Sequence, residues 1–369
     1  MGYAVELLNI NCLGKPLRLE GTPAGWQQLF WDNTLVAEKN ASAEREGISA
    51  LQFELAAQSS DGSTAMTRVC LETDLQWQPF LLKYRLLVDE QEALQGQRNT
   101  RDIERQIPAV PVVKTNKLSL LGLGALALKL LKSAKLVKVA LAGASVAAYS
   151  WLFSFQFAIA LIACLVFHEY GHIRAMKYFG LKTKGIYLIP FMGGLALSDE
   201  KINTRWQDVV ISIMGPSFGL LLSIACLVIY WLTGSMLFAG LATFNALLNL
   251  FNLLPILPLD GGHILKSISF SMNSVLGLAA CVAGAAFGVF ISYTLGLALL
   301  GFLLLIGSVE IVFEWRGRHQ SHLLPLDRYG QIFSALWYLI TVGALISIIW
   351  YFASHGDDML RMPLQILKS

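Results

Sequence analysis

From about residue 137 to residue 353, apolar stretches near the length of a membrane span recur with few charges between them. A bilayer core about 30 Å thick takes about 20 apolar residues per helical crossing. In hydrocarbon every backbone N–H and C=O has to be satisfied within the segment, so such stretches become helices. The chain of 369 residues is 55% hydrophobic and only 14% charged, where a soluble domain carries about 25%. The fold class is therefore a polytopic α-helical membrane protein. About six to seven spans are expected, near 137–154, 156–179, 207–231, 236–258, 274–292, 294–315 and 331–353. The pair 274–292 and 294–315 could be kinked or partly re-entrant.

The first 90 residues follow another pattern. Leu51-Gln52-Phe53-Glu54-Leu55 and Lys83-Tyr84-Arg85-Leu86 alternate apolar and polar, and Asp32-Asn33 and Ser60-Asp61-Gly62-Ser63 carry turn chemistry. A small soluble all-β domain, an antiparallel sandwich or barrel, is expected over residues 1–90. It holds no metal cluster, phosphate loop or nucleophile signature, so its ligand is unknown and a passive anchoring role reads equally well. Residues 91–136 read as a linker followed by a basic helix lying on the bilayer surface. Lys129, Lys132, Lys135 and Lys138 share one broad face of that helix and suit an anionic leaflet. The transmembrane domain occupies 137–353 and a tail 354–369.

Basic residues set the orientation. Lys129 to Lys138, Arg174 to Lys184, Lys201 and Arg205, Lys266, and Arg316 to Arg328 all fall on one side of the expected topology. The connections near 154, 233 and 293 carry no Lys or Arg. That side is read as cytoplasmic, together with the β domain, since no basic region followed by an apolar core opens the chain. The five cysteines show no pairing pattern, and Cys164, Cys226 and Cys281 read as small packing residues. The modest net charge of +3 and the lack of any phosphate-cradling motif leave nucleic acid out of the expected partners.

Chemistry concentrates at His168-Glu169-Tyr170-Gly171-His172, directly after the apolar run Phe157 to Phe167. Ionisable groups inside a span are costly and mark function. On a helix, H-E-x-x-H puts both imidazoles on one face, able to hold one zinc ion, with Glu169 as general base. A catalytic zinc takes three protein ligands and keeps one position open. Asp260 is the expected third ligand, because it follows the fourth span in Asn252-Leu253-Leu254-Pro255-Ile256-Leu257-Pro258-Leu259-Asp260-Gly261-Gly262-His263 at the same depth. Pro255 and Pro258 end the helix there; the alternative is that Asp260 only caps the next helix. Between the second and third spans, Gly185 to Ser198 is apolar but too short to cross. Its β-prone residues and the pair Gly193-Gly194 suggest a hairpin dipping into the membrane, where glycine allows close backbone approach; an interfacial loop is the other reading. Asn245, Asn249 and Asn252 share a helical face, the first two reading as interhelical hydrogen bonds.

At these residues the chain resembles the site-2 protease family of intramembrane zinc metalloproteases. His168 to Gly180 resembles the family's first core motif, and Asn252 to His263 its second, with the asparagine, proline and LDG elements in family order. The likeness covers about residues 156–270. It implies a three-span core, one Zn2+ per chain held by His168, His172 and Asp260, and a water activated by Glu169. It also implies a membrane-embedded β element that pairs with unwound substrate, so Gly193 and Gly194 become substrate-binding positions along with Asn252. Gly215-Pro216 resembles a further family element, but the asparagine often found three residues after that proline is Gly219 here. No PDZ-like insertion separates the third and fourth spans.

The expected function is an intramembrane zinc metalloendopeptidase acting in or near the transmembrane segments of other membrane proteins, on the cytoplasmic side of a prokaryotic plasma (inner) membrane. Two other classes use similar residues. A zinc-binding chaperone without proteolysis has no need of Glu169. A metal transporter usually shows repeated halves with matching broken helices, and no such repeat is visible.

Overall fold

A computed structural model describes residues 5–106, 135–294 and 323–355, apart from positions 24, 41–45, 59–63, 153, 190–192 and 199–201, with a few residues between 304 and 312. Two compact units divide the chain.

The first unit holds eight strands: β1 (Val5–Cys12), β2 (Lys15–Gly21), β3 (Gln27–Trp31), β4 (Thr34–Lys39), β5 (Gly47–Gln58), β6 (Thr64–Trp77), β7 (Phe80–Val88) and β8 (Gln91–Asn99), then helix α1 (Thr100–Arg105). They form two antiparallel four-stranded meanders, β1-β2-β3-β4 and β5-β6-β7-β8. Alternation decides which face is buried. Leu51, Phe53 and Leu55 of β5 point inward, with Gln52 and Glu54 exposed between them. Leu17, Leu19 and Leu29 from one sheet and Val69, Leu71, Leu82 and Leu86 from the other share one hydrophobic core. Two-residue hairpins join several strands. Asp32-Asn33 and Asp89-Glu90 both take positive φ at each position, the turn geometry that matches strand twist.

The chain expected to be linker from residue 91 thus begins as strand β8 and helix α1. β8 is polar and almost wholly exposed, so it lacks the apolar alternation that marks a strand. An Asn99–Asp102 capping box starts α1, and Ile103 fills the same core. Two later segments, Ile202–Trp206 and Val312–Gln331, belong to this unit. Leu324 enters its core, and the Asn203 amide donates to the Ile103 and Gln106 carbonyls. The basic surface helix expected before residue 135 lies outside the described residues.

The second unit is helical: α2 (Lys135–Leu152), α3 (Phe155–Tyr178), the strand pair β9 (Thr183–Ile189) and β10 (Gly193–Ser198), α4 (Arg205–Thr233), α5 (Met236–Asn252), α6 (Asp260–Met272), α7 (Ser274–Thr294) and α8 (Arg328–His355). Among the described residues, four helices are long and apolar enough to cross a membrane: α3, α4, α7 and α8. The expected fourth span is a shorter apolar helix of 17 residues that stops at Asn252, ahead of Pro255 and Pro258. Most of the expected sixth span, 294–315, lies outside the described residues. Ala239, Ala242 and Ala246 line the buried face of α5 and pack with Ile213 of α4, Ile264 of α6 and Leu345, Ile349 and Phe352 of α8. Small residues on a helix face let backbones approach where lipid provides no hydrophobic drive. β9 and β10 pair antiparallel from Gly193 opposite Ile189 to Ser198 opposite Thr183. The Ser145 hydroxyl and Lys138 ammonium of α2 donate to the Leu188 and Lys184 carbonyls of β9.

Candidate metal centre

His168 and His172 lie one turn apart on the buried face of α3. Their Nε2 atoms are 3.0 Å apart. Asp260 is the first residue of α6, and its Oδ2 lies 3.4 Å from His168 Nε2 and 3.5 Å from His172 Nε2. Leu259, not Asp260, stands at the helix cap, and no side chain caps that end. The aspartate therefore faces the histidines instead of serving as a cap.

These distances suit a tetrahedral ion. Ligand bonds of about 2.0–2.1 Å place neighbouring ligand atoms about 3.3 Å apart. The proton positions agree. His172 Nδ1 lies 2.6 Å from the Ile211 carbonyl oxygen, which can only accept. His168 Nδ1 lies 2.7 Å from Asn249 Oδ1. Each neutral ring therefore carries its proton on Nδ1 and turns an Nε2 lone pair toward the other ring and toward a carboxylate. Three electron-rich atoms converging in a buried place call for a cation, and this donor set, two imidazoles and one carboxylate, is one that zinc takes. Among the described residues this is the one group of three that could hold a metal ion.

Glu169 sits on the same helix, 5% exposed. Its carboxylate accepts a hydrogen bond from the Ala196 N–H of β10. A Cβ built on Gly194 would overlap Glu169 Cγ and fall 2.6 Å from its Oε1. The hairpin thus lies directly against the Glu169 side chain, a contact that no sequence spacing shows. Gly215 on α4 makes a comparable approach from the other direction. A Cβ there would overlap His172 Nε2 and meet His168 Nε2 at 2.9 Å.

The structure thus brings His168, His172, Asp260, Glu169 and Gly194 together. Gly193 opens β10, and Asn252 closes α5, half-buried. Asn245 and Asn249 do make the expected interhelical bonds, but one of them ends on His168, which the helical periodicity could not reveal. His263 lies against Asp208, its Nδ1 3.5 Å from Asp208 Oδ1. Asp208 also accepts from the Ser267 hydroxyl at 2.5 Å.

Residues 156–235 and 232–295 match the model of peptidase family M50, the site-2 protease family. A candidate zinc metalloprotease of Synechocystis is 36% identical over 146 residues, covering 37% of this chain and 38% of that protein. A zinc metalloprotease of Methanocaldococcus jannaschii is 34% identical over 115 residues, 30% of this chain and 33% of that one. The stage IV sporulation protein FB of Bacillus subtilis is 26% identical over 188 residues, 46% of this chain and 63% of that one. The chain thus spans less than two thirds of each of these relatives. Within the matched segment the resemblance to the site-2 protease family is shown, and the relatives' names point to zinc as the ion.

Proposed function

We propose that the protein is an intramembrane zinc metalloendopeptidase that hydrolyses peptide bonds in or near the transmembrane segments of other membrane proteins. The observation that carries this reading is the convergence of His168, His172 and Asp260 within 3.5 Å of one another, beside a buried Glu169. When bound, zinc supplies the Lewis acidity that makes water a nucleophile near neutral pH and polarises the scissile carbonyl. Glu169 takes the water's proton and passes it to the leaving amine. The Ala196 N–H holds the carboxylate in place for that transfer.

The hairpin serves the substrate. β9 and β10 form a two-stranded sheet, and an extended peptide would join β10 as a further strand beside the Ala196 N–H that Glu169 holds. A helical substrate hides its carbonyls in i to i+4 bonds and has to unwind first. Gly193 and Gly194 keep that approach clear, and Asn252 offers an amide to the bound chain. The run of basic loops on one side supports a cytoplasmic metal site and β domain, in a prokaryotic plasma membrane.

The test is direct. Purified protein is incubated with a panel of single-span substrates, with and without chelator, and zinc is added back. Cleavage that stops on chelation and returns with zinc is expected. Cleavage indifferent to chelator would sink the reading, and zinc flux into proteoliposomes without any cleavage would favour the transporter instead.

Gly194→Ala gives a finer outcome. The new methyl group displaces the Glu169 carboxylate and leaves the three ligand groups alone. Zinc content should match wild type while turnover falls at least tenfold. Unchanged turnover would show that the hairpin does not seat the base.

A further inference from the structure

We propose that Asn249, seated by Asn245, is a positioning residue for His168, fixing the tautomer and ring orientation that leave Nε2 free to bind the metal. The inference rests on the zinc reading above and extends it one residue outward from the ligands.

The argument starts at a backbone carbonyl. Asn249 Nδ2 lies 2.7 Å from the Asn245 carbonyl oxygen, which can only accept. That atom is therefore the amide nitrogen, and Oδ1 must point the other way, 2.7 Å from His168 Nδ1. His168 Nδ1 then has to carry the ring proton. A second carbonyl locks the next amide in the same sense. Asn245 Nδ2 donates to the Gly219 carbonyl at 2.7 Å and to Ser223 Oγ at 2.8 Å. Its Oδ1 is left to accept from Asn249 Nδ2 at 3.1 Å. Neither amide can flip without setting like against like, so the direction of every bond follows from two carbonyl oxygens on α4 and α5.

Helix packing alone does not account for these residue types. Both asparagines are 0% exposed, on a helix whose other buried positions include Ala239, Ala242 and Ala246. An interhelical hydrogen bond between membrane helices is worth only about 0.6 kcal/mol on average, and two buried amides bring desolvation costs that an apolar pair avoids. Their joint product is one oriented acceptor on the far side of a metal ligand, the place where metal-binding histidines usually find their partner.

Zinc affinity measured by chelator competition, and the visible spectrum of the cobalt-substituted protein, test this without reference to cleavage. Asn249→Leu keeps the volume and removes the acceptor. It should bind zinc about 10–100-fold more weakly and shift the cobalt spectrum. Asn249→Asp, as the neutral acid that this buried place favours, donates its O–H to the Asn245 carbonyl, keeps an acceptor toward His168 and should stay near wild type. Asn245→Ala leaves the Asn245 carbonyl in place and should lose less than Asn249→Leu. A folded Asn249→Leu protein with wild-type affinity and spectrum overturns the inference, as does Asn249→Asp losing zinc as fully as Asn249→Leu. If Asn249→Leu does not fold, Asn249→Asp is compared with wild type and His168→Ala: affinity near wild type supports the role, and affinity as weak as His168→Ala overturns it. Wild-type protein that binds no zinc overturns the zinc reading as well, which separates the two failures.

Discussion

Replacing Glu169 by glutamine is expected to abolish peptide hydrolysis and leave the zinc in place. The substitution keeps the shape of the side chain and the acceptor oxygen for the Ala196 N–H. It removes only the group that takes a proton. A positioned general base contributes about 10²–10⁴-fold, so turnover of a single-span substrate should fall at least a hundredfold. Zinc per chain should equal wild type, because the proposed ligands are His168, His172 and Asp260. Loss of one negative charge beside the site should alter metal affinity little. Turnover within a few-fold of wild type would remove Glu169 from the reaction. Lost zinc together with lost turnover would mean that Glu169 holds the site's structure.

Gly215→Ala should fail in the opposite way, by losing the metal. The added Cβ would stand well inside van der Waals contact of His172 Nε2. The ring cannot simply retreat, because its Nδ1 is tied to the Ile211 carbonyl at 2.6 Å on the same helix as Gly215. Either that bond breaks or α3 and α4 move apart, and both disturb an arrangement of three ligand atoms set within 3.5 Å of one another. Zinc affinity should drop at least tenfold, and turnover with it. Gly240→Ala on α5 is the matched control. Nothing lies within 4 Å of the Cβ it would add, so it should be neutral or slightly stabilising, since alanine is the better helix former. Equal zinc affinity in Gly215→Ala and Gly240→Ala would show that the site has slack that its distances do not suggest.

Much of this centre is legible in the order of residues alone. The i, i+4 spacing of His168 and His172 is a property of one helix, and Pro255 and Pro258 mark the break that brings Asp260 to a helix start. Other features carry no local signal. β8 is hidden because an exposed strand rich in Gln, Glu and Arg has no apolar alternation, and the Asp89-Glu90 turn places at its second position a glutamate, a residue type that rarely takes positive φ. The fourth apolar stretch ends sooner as a helix than its hydropathy suggests, because the helix yields to the backbone demands of the turn before Asp260. Asn249 looks like its neighbour Asn245, and nothing in their spacing tells which one touches His168.

Hydropathy, and periodicity within single elements, are enough to set the helical membrane class, the histidine pair and the glutamate beside it. Contacts between elements set the rest: Asp260 closes on that pair, Asn249 backs His168 from 81 residues away, and the hairpin rests on Glu169. These contacts depend on how closely α3, α4 and α5 pack at small residues such as Gly215 and Ala246, and helical periodicity carries no record of that distance.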